Sequence, residues 1–291
     1  MFSELSSFAF KPGEKVDRGF VRVLGRLAIQ ARRIRPHAHG NLSESIHDTR
    51  VLIKWLRALL WFASPAFSSS VIDRAKSHLR KAAHLLAAQR ELDVIRSMLE
   101  NLPRKTANSA HRKALARIAN ALGNRQAITE KPDRSLQQAV AIVLATTEQI
   151  ERSVRIKSRW PSASERLAQA FRATEKSGKK ALNSEDAAQF HDWRKKAKRL
   201  LYLLRLTQAS PGKHMTHTIK QVAELQEKLG AYHDCVIAQD RLRKHVPHGV
   251  PMRAVRRIED LLERRKDRLR KEVRKIARHI KSGYSLATGR A

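Results

Sequence analysis

Cysteine, glycine, proline and aromatic residues are all scarce in this chain of 291 residues. The one cysteine, Cys235, excludes an intramolecular disulfide framework and a cysteine-based zinc site, and it fits a reducing compartment. Only 11 Gly and 9 Pro interrupt a sequence dominated by good helix formers such as Ala, Leu, Arg and Lys. No window approaches the ~18 apolar residues of a membrane span, and no export signal begins the chain. We therefore predict a soluble, cytoplasmic, all-α protein without a membrane anchor.

Acidic residues are also few. The chain has 27 Asp and Glu but 60 Lys and Arg, which gives a formal net charge of +33 at pH 7. A charge of this size repels itself in the folded state and attracts polyanions. The 42% of apolar residues nevertheless supply a sizeable core, unlike the composition of a disordered basic tail. The composition thus predicts a folded protein that carries its charge on the outside and attracts a polyanion.

Helical periodicity runs through almost the whole chain and predicts nine helical segments. No stretch alternates apolar and polar residues for long enough to predict a β-strand. The breaks with the most consequence fall at residues 64–70, 123–132 and 177–184. The second of these is the best boundary between two halves, 14–123 and 124–283, each an antiparallel helical bundle. The last segment, 252–281, is predicted as one long helix, and it lacks the aromatic anchors of a membrane-surface helix.

An internal repeat is the most informative feature of the sequence. The segment SIHDTRVLIKWLRALL from Ser45 matches QFHDWRKKAKRLLYLL from Gln189 at a shift of 144 residues. Farther along, LLAAQRELDVI from Leu85 matches KLGAYHDCVIA from Lys228 at a shift of 143 residues. Two elements that recur in the same order at nearly the same spacing indicate duplication of a unit of about half the chain. We expect two pseudo-symmetric helical bundles.

Each copy of the first element places cations opposite its apolar face when it is drawn as a helix at ~100° per residue. These cationic rows are His47, Arg50, Lys54 and Arg57 in the first copy and His191, Arg194, Lys198 and Arg205 in the second. The first row spans ~15 Å and could follow successive phosphate oxygens of an extended anion. Because the same His, Arg and Lys positions return in both copies, the rows favour a ligand site over a merely solvated surface.

The second repeated element adds Arg90 and His233 at equivalent positions. Cations on the preceding segments are expected to flank them and to close a basic central groove or pore: Arg80, Lys81 and His84 in the first half, Lys220 and Lys228 in the second. Asp48 and Asp192 are interpreted as partners that orient neighbouring cations, and not as contacts of the anion.

The elements at 47–54 and 191–198, both HDxRxxxK, and the LGxxHD-like element that ends at Asp234 resemble the motifs of the CHAD domain, a histidine-containing α-helical family. The resemblance covers essentially the whole chain. It implies a pair of pseudo-symmetric helical bundles with a basic pore that binds inorganic polyphosphate and targets the protein to polyphosphate granules. The sequence departs from the family pattern at Ala87 and Glu91, where Gly and Asp are usual.

Carried over position by position, the resemblance implies polyphosphate contacts at His47, Arg50, Lys54, Arg90, His191, Arg194, Lys198 and His233. Relatives are often fused to a triphosphatase-type domain with an E-x-E-x-K motif. That motif does not occur here, and neither do GxxxxGK[ST], HExxH or GxSxG. We therefore expect a stand-alone binding protein that is not an enzyme and that uses no cofactor or metal.

Nucleic acid stays open as the alternative ligand, because any protein of this charge binds it weakly at low salt. Sequence-tolerant binders of single strands add stacking aromatic residues, and only 5% of this chain is aromatic. Trp61 and Tyr202 are the two aromatic residues expected near the basic faces. Polymer length preference, oligomeric state and physiological role do not follow from the sequence.

Overall fold

The computed structural model describes residues 8–34, 42–87, 117, 132–154, 159–184, 186–208, 213–244 and 250–288. Across these ranges the protein is helical and has no strand, which confirms the predicted all-α class. The helices are α1 (Val16–Arg33), α2 (Leu42–Ala63), α3 (Ser69–Leu85), α4 (Pro132–Arg152), α5 (Ala163–Leu182), α6 (Ala187–Leu206), α7 (Lys213–Lys244) and α8 (Met252–Thr288). A 3-10 turn, Ser64–Ala66, lies between α2 and α3 at the first of the predicted breaks.

The helices pack in two groups. In the first bundle, α1 to α4, both α2 and α4 contact every other member. In the second bundle, α5 to α8, α6 packs between α5 and α7, and α8 packs against α5 and α7. The two bundles meet where α2 packs against α6. Since these two helices carry the two copies of the HDxRxxxK element, both copies lie at the boundary between the bundles.

The boundary predicted at residues 123–124 lies outside the described residues, and pseudo-symmetry between the bundles stays a prediction. By sequence α4 falls in the predicted second half, yet it packs against α1, α2 and α3 and so completes the first bundle in space. Its buried apolar residues explain this placement, because Leu136, Ala139, Val143 and Ile150 follow helical spacing along one face.

α2 is the central helix of the first bundle. The apolar stripe expected on it is buried as predicted: Leu52, Ile53, Leu56, Leu59, Leu60 and Ala63. Val51, Trp55, Ala58 and Phe62 are buried as well, because α1, α3, α4 and α6 surround the helix. Only a narrow strip of α2 therefore remains outside the core, and the cationic row lies in that strip.

The second bundle also confirms its predicted core faces. On α6 the buried residues include Trp193, Ala197, Leu200, Leu203 and Leu204. On α8 they include Val255, Ile258, Leu262, Leu269, Val273, Ile276 and Ile280. α8 continues to Thr288, beyond the expected end at 281.

Capping side chains mark the starts of two helices in this bundle. Ser162 Oγ accepts a hydrogen bond from the Glu165 N–H at 3.2 Å, and Asp186 Oδ1 accepts one from the Ala188 N–H at 2.8 Å. Each bond satisfies one of the backbone donors that a helix N-terminus leaves unpaired. The caps therefore set where α5 and α6 begin.

The break predicted at 177–184 is wrong over most of its length, because α5 continues to Leu182. The small residues that suggested a break instead allow α5 to approach α6 closely. A Cβ on Gly178 would lie 2.8 Å from Cε2 of Trp193, and Ser177 Oγ donates a hydrogen bond to Asp192 Oδ2 at 2.8 Å. Gly178 and Ser177 are thus packing residues inside a helix.

Aromatic residues fill the boundary between the bundles. Trp55 of α2 meets Tyr202 of α6 edge to face, with ring centroids 4.9 Å apart. The N-terminal segment covers both bundles, since Phe8 packs on Trp55 and the Phe10 N–H donates to the carbonyl of Leu206 at 2.7 Å. Such aromatic pairs add about 0.5–1.5 kcal/mol each to the burial of their surface. The cationic rows therefore stand on a rigid apolar base.

Candidate functional site

The cationic rows of α2 and α6 converge on Lys198. Burial lowers the pKa of this amine most, and the positive charge of Arg194 lowers it further. Three cations of the other bundle, Lys54, Arg50 and Arg57, act in the same direction, and together these influences bring the pKa to about 6. Two rows recognised in separate halves of the sequence therefore form one group.

Two histidines extend this group on the α7 side. The rings of His191 and His233 lie with their centroids 4.6 Å apart, and the Nδ1 of His191 is buried without a hydrogen-bond partner among the described residues. Burial and the neighbouring cations lower the pKa of His191, and they bring that of His233 to about 3. Both rings are thus uncharged at neutral pH in the free protein. We name the central cluster by its members: Arg50, Lys54, Arg57, His191, Arg194, Lys198 and His233.

The spacing of the LGxxHD-like element places α7 against this cluster. Gly230 stands one turn before His233, so the two residues share a face of α7. A Cβ on Gly230 would lie 3.9 Å from the Nε of Arg194. The backbone of α7 therefore passes beside the Arg194 guanidinium, while His233 contacts His191.

Backbone carbonyls of the first bundle orient the arginines of α2. Arg50 Nη1 donates to the carbonyl of Leu86 at 3.2 Å, and Arg57 Nη2 donates to that of Leu79 at 2.9 Å. A carbonyl partner fixes a guanidinium without cancelling its charge, so both arginines stay cationic. Arg57 and Arg80 are both exposed as whole residues; desolvation of the Arg57 guanidinium and then the charge of Arg80 lower the pKa of Arg57, so Arg80 lies next to the cluster.

Several predicted site residues are exposed or only half-buried. His47, Lys81, His84 and Lys220 are exposed on α2, α3 and α7. Arg205 is half-buried, with its Cζ 5.9 Å from the centroid of the Tyr202 ring. Arg90, together with Glu91, lies outside the described residues.

Lys228 differs from the other predicted ligands because an acid of α8 holds it. Its Nζ forms an ion pair with Glu272 Oε2 at 2.8 Å, and this acid raises the pKa of Lys228. Glu227 and Glu224 add further negative charge around it. The structure therefore places Lys228 in an acidic environment.

The two aspartates of the repeated element behave differently. Asp192 Oδ2 accepts hydrogen bonds from Lys196 Nζ at 2.7 Å and from Ser177 Oγ at 2.8 Å, which confirms that it pairs with a neighbouring cation. Burial would raise its pKa, but these bonds and the nearby lysines outweigh burial and lower it. Asp48 is buried, has no ion pair among the described residues, and has a pKa that burial raises.

The sequence interpretation missed three cations near the site. The positive charge of Lys195 lowers the pKa of both histidines. Lys195 lies one turn after His191, so helical spacing could have indicated it. Arg166 and Arg199 hold Trp61, with their Cζ atoms 3.7 and 5.0 Å from its ring centroid. Arg166 lies on α5, outside both repeated elements, and no sequence signal pointed to it.

Arg166 ties the second bundle to the end of α2. Its guanidinium donates to the carbonyl of Trp61 and, at 3.1 Å, to the hydroxyl of Ser64. A cation at the C-terminal carbonyls of a helix is favourable because of the helix dipole. With Tyr202 buried against Trp55 and Trp61 beside two arginines, the rings considered for base stacking are engaged within the protein.

Within the described part of the chain, no three His, Cys, Asp or Glu side chains come together in an arrangement that could hold a metal ion. None of the helices in the same ranges combines the length and the hydrophobicity needed to cross a bilayer.

The fold and the site define an all-helical protein with a cluster of cations where two helical bundles meet. A model of the CHAD domain family matches residues 25–243. Because the match covers well over half of the chain, the protein belongs to the CHAD domain family, which is associated with polyphosphate binding in general.

A solved structure supports the fold. The chain is similar to the crystal structure of the CHAD domain from the plant Ricinus communis, with a TM-score of 0.61 and 20% sequence identity. The similarity covers 96% of this chain and 94% of that one. At this identity the likeness shows the architecture alone. The comparison with curated proteins finds none that matches the chain.

Proposed function

We propose that this protein binds inorganic polyphosphate through the central cluster. The observation that carries the proposal is the packing of α2 against α6, which brings the two cationic rows together, so that Arg50, Lys54 and Arg57 of one bundle all lower the pKa of Lys198 of the other. Repulsion among these like charges is unfavourable in the free protein. A ligand that supplies several negative charges at once removes that repulsion.

The chemistry of the cluster favours phosphate over other anionic groups. Guanidinium groups bind phosphate oxygens through two parallel hydrogen bonds, and lysine adds a mobile point charge. Arg80 continues the row beyond Arg57, so a linear anion could run from α3 across α2 to the histidines of α6 and α7. Such an arrangement suits a polymer recognised by its phosphates, without contacts to bases or sugars.

The proposed role is binding without turnover, in the cytoplasm and at polyphosphate granules. Association of the protein with granules in cells is expected to depend on the same residues as binding in solution. Release of phosphate from polyphosphate by the purified protein and a divalent cation would contradict the non-enzymatic part of the proposal.

A titration with polyphosphates of graded length tests the site. We expect Arg50→Ala, Lys54→Ala and Arg194→Ala each to weaken binding about tenfold, the loss of one charge-assisted contact. Arg268→Ala on α8 and Lys180→Ala on α5 are matched controls. Both side chains are exposed, and each substitution also removes one positive charge. The controls should stay within about twofold because solvent and salt screen a single distant charge.

Competition at raised salt separates the two polyanions. Polyphosphate should remain bound at salt concentrations that release duplex DNA, whose affinity comes from counterion release at diffuse contacts. Equal loss of both ligands, or equal effects of the cluster and control variants, would mean that bulk charge holds the anion and would refute the proposal.

A further inference from the structure

A cavity of about 420 Å³ opens in the second bundle between α5 and α8. α8 packs far more extensively on α7 than on α5, so the faces of α5 and α8 are only partly in contact. The side chains that face the gap from both helices are short, because Thr174, Gly178 and Ala277 line it. Residues of this size do not fill the space between the two helices, and the cavity remains.

The walls of this cavity are mostly apolar. They are formed by side chains from all four helices of the bundle: Phe171, Leu182, Trp193, Leu200, Leu225 and Ile280. The hydroxyl of Thr174 donates to the carbonyl of Ala170 at 2.8 Å, so this polar group is already satisfied within α5. An apolar cavity holds water poorly and favours an apolar guest.

The rim of the cavity is cationic. It is formed by exposed side chains of α5 and α8: Arg172, Lys179, Arg274 and Arg278. Glu175 is the acid at this rim, and its Oε1 is paired with the Nζ of Lys179 at 3.1 Å. Arg274 Nη2 donates to the carbonyl of Leu182 at 3.4 Å, which orients this guanidinium without cancelling its charge. Positive charge therefore predominates at the mouth of the cavity.

A second cavity of the same bundle shows that a cationic rim is not a simple result of the high net charge. It has a volume of about 330 Å³ and lies between α7 and α8. Its lining holds Glu224 and Glu272 beside Lys228 and Lys275, and Lys228 is paired with Glu272. Charges of both signs are balanced there, whereas the α5–α8 cavity combines apolar walls with an excess of positive charge.

We propose that the α5–α8 cavity binds a single-chain amphiphile with an anionic head, a medium-chain fatty acid. The alkyl chain occupies the apolar cavity, and the carboxylate lies between Arg274 and Arg278 at the rim. Arginine binds a carboxylate through two parallel hydrogen bonds, and each buried methylene adds favourable free energy. A dry cavity of about 150 Å³ already holds benzene, so the larger volume here suits one alkyl chain.

This site is separate from the central cluster. Trp193 and Leu200 reach the cavity from the core face of α6, seven residues apart along one side of the helix. Arg194 and Lys198 lie on a different face of the same helix and belong to the central cluster. Fatty acid and polyphosphate should therefore bind independently of each other, and this inference does not rest on the proposed function.

Trp193 provides a direct probe of occupancy, because its indole lines the cavity and those of Trp55, Trp61 and Trp160 do not. Bromine-substituted dodecanoate, used below its critical micelle concentration, should quench tryptophan fluorescence in a saturable way. Trp193→Phe should bind the same ligand by calorimetry and lose this quenching. Quenching that does not saturate, or that persists in Trp193→Phe, would contradict binding in this cavity.

Chain length tests the apolar walls. Unmodified octanoate, decanoate and dodecanoate should displace the brominated ligand. Their affinity should increase about three- to fourfold for each added methylene until the cavity is full. Affinity that does not change with chain length would refute burial of the chain.

The cationic rim is tested by two pairs of substitutions on α8. Arg274→Ala combined with Arg278→Ala should weaken dodecanoate binding about tenfold and leave dodecanol within about twofold, because the alcohol has no charge to lose. Arg264→Ala combined with Arg268→Ala is the matched control, since this pair has the same spacing, is exposed and does not line the cavity. Equal effects of the two pairs, or binding of dodecyltrimethylammonium as tight as that of dodecanoate, would overturn the inference.

A substitution that fills the cavity completes the test. Ala277→Phe should abolish saturable binding of dodecanoate, with circular dichroism and thermal unfolding showing that the protein is folded. Long-chain polyphosphate at a concentration that saturates the central cluster should not displace dodecanoate from wild-type protein. Binding retained in folded Ala277→Phe, or displacement by polyphosphate, would mean that the fatty acid binds elsewhere. The rim variants and the chain-length series decide the question independently of this variant.

Discussion

The two copies of the HDxRxxxK element begin from the same motif and end in different environments. In the first copy, His47 is exposed and Arg50 donates to the carbonyl of Leu86, the residue after the end of α3. In the second, His191 lies half-buried against His233, and the neighbouring Lys198 has a pKa of about 6. The arginines of the first copy are thus held by backbone carbonyls, whereas in the second copy burial and neighbouring cations lower the pKa of His191 and of Lys198.

The packing partners of each helix explain this difference. α2 is anchored through its arginines to carbonyls of α3 and of the residue that follows it, which accept hydrogen bonds. α6 lies between α5 and α7 and receives repulsion from the cations of α2 across the boundary. A repeated motif therefore does not have repeated properties, because the neighbours of each copy set its protonation.

The largest effect should come from removing the lysine of both repeated elements together. We expect Lys54→Ala combined with Lys198→Ala to weaken polyphosphate binding by about a hundredfold or more, since two charge-assisted contacts are lost. Circular dichroism should show that the helical fold is retained. Binding by the double variant within about threefold of wild type would show that the two copies do not share one ligand.

A pair of glycine substitutions tests how tightly each bundle is packed. Gly178→Ala in α5 should lower the free energy of unfolding by about 1–3 kcal/mol, because the new Cβ would lie 2.8 Å from the Trp193 ring. Gly25→Ala in α1 is the matched control, as no atom lies within 4 Å of its added Cβ. That control should stabilise the protein by up to ~1 kcal/mol through helix propensity. Equal effects in urea denaturation would contradict the close α5–α6 contact.

Lys198→Met should stabilise the free protein while it weakens polyphosphate binding. The folded-state pKa of Lys198 lies below its unfolded value, so the unfolded chain binds the extra proton between about pH 6 and the ordinary lysine range. The stability of the wild type therefore rises with pH across that interval. The gain from Met, roughly 1–3 kcal/mol, should be largest at the acidic end and shrink as pH rises. Thermal unfolding at several pH values checks this, and Lys54→Met serves as the counterpart in the other copy.

The smallest effect concerns the aspartates. Lys196→Ala removes the ion pair of Asp192 and should cost no more than ~1 kcal/mol, because both side chains are partly exposed and solvent screens the pair. Polyphosphate affinity should change by less than about threefold. A larger loss would mean that the Asp192 pair positions the cluster, and double-mutant cycles with Arg194→Ala would then reveal the coupling.

Helical periodicity predicted the core well because burial of an apolar stripe depends on local spacing. The buried faces of α2, α6 and α8 were all predictable in this way. The end of α5 was not predictable in this way. In the sequence, serine and glycine indicated a break, and only the packing of the Trp193 indole against Gly178 explains why these small residues lie inside the helix. Likewise, Lys228 looked like its cationic neighbours in the sequence, and only the approach of Glu272 from α8 gives it an acidic partner.

By itself the amino-acid sequence determined the helical class, the core faces, the repeat and the family resemblance, because each depends on residue type and spacing along one chain. Which cations meet was decided by tertiary structure, through the packing of α2 on α6 and of α7 beside them. Electrostatic energy varies with distance and burial, and neither is encoded in a single helix. For that reason Lys54 and Lys198 occupy equivalent positions in the repeated motif, yet Lys198 is the amine at the centre of the cluster.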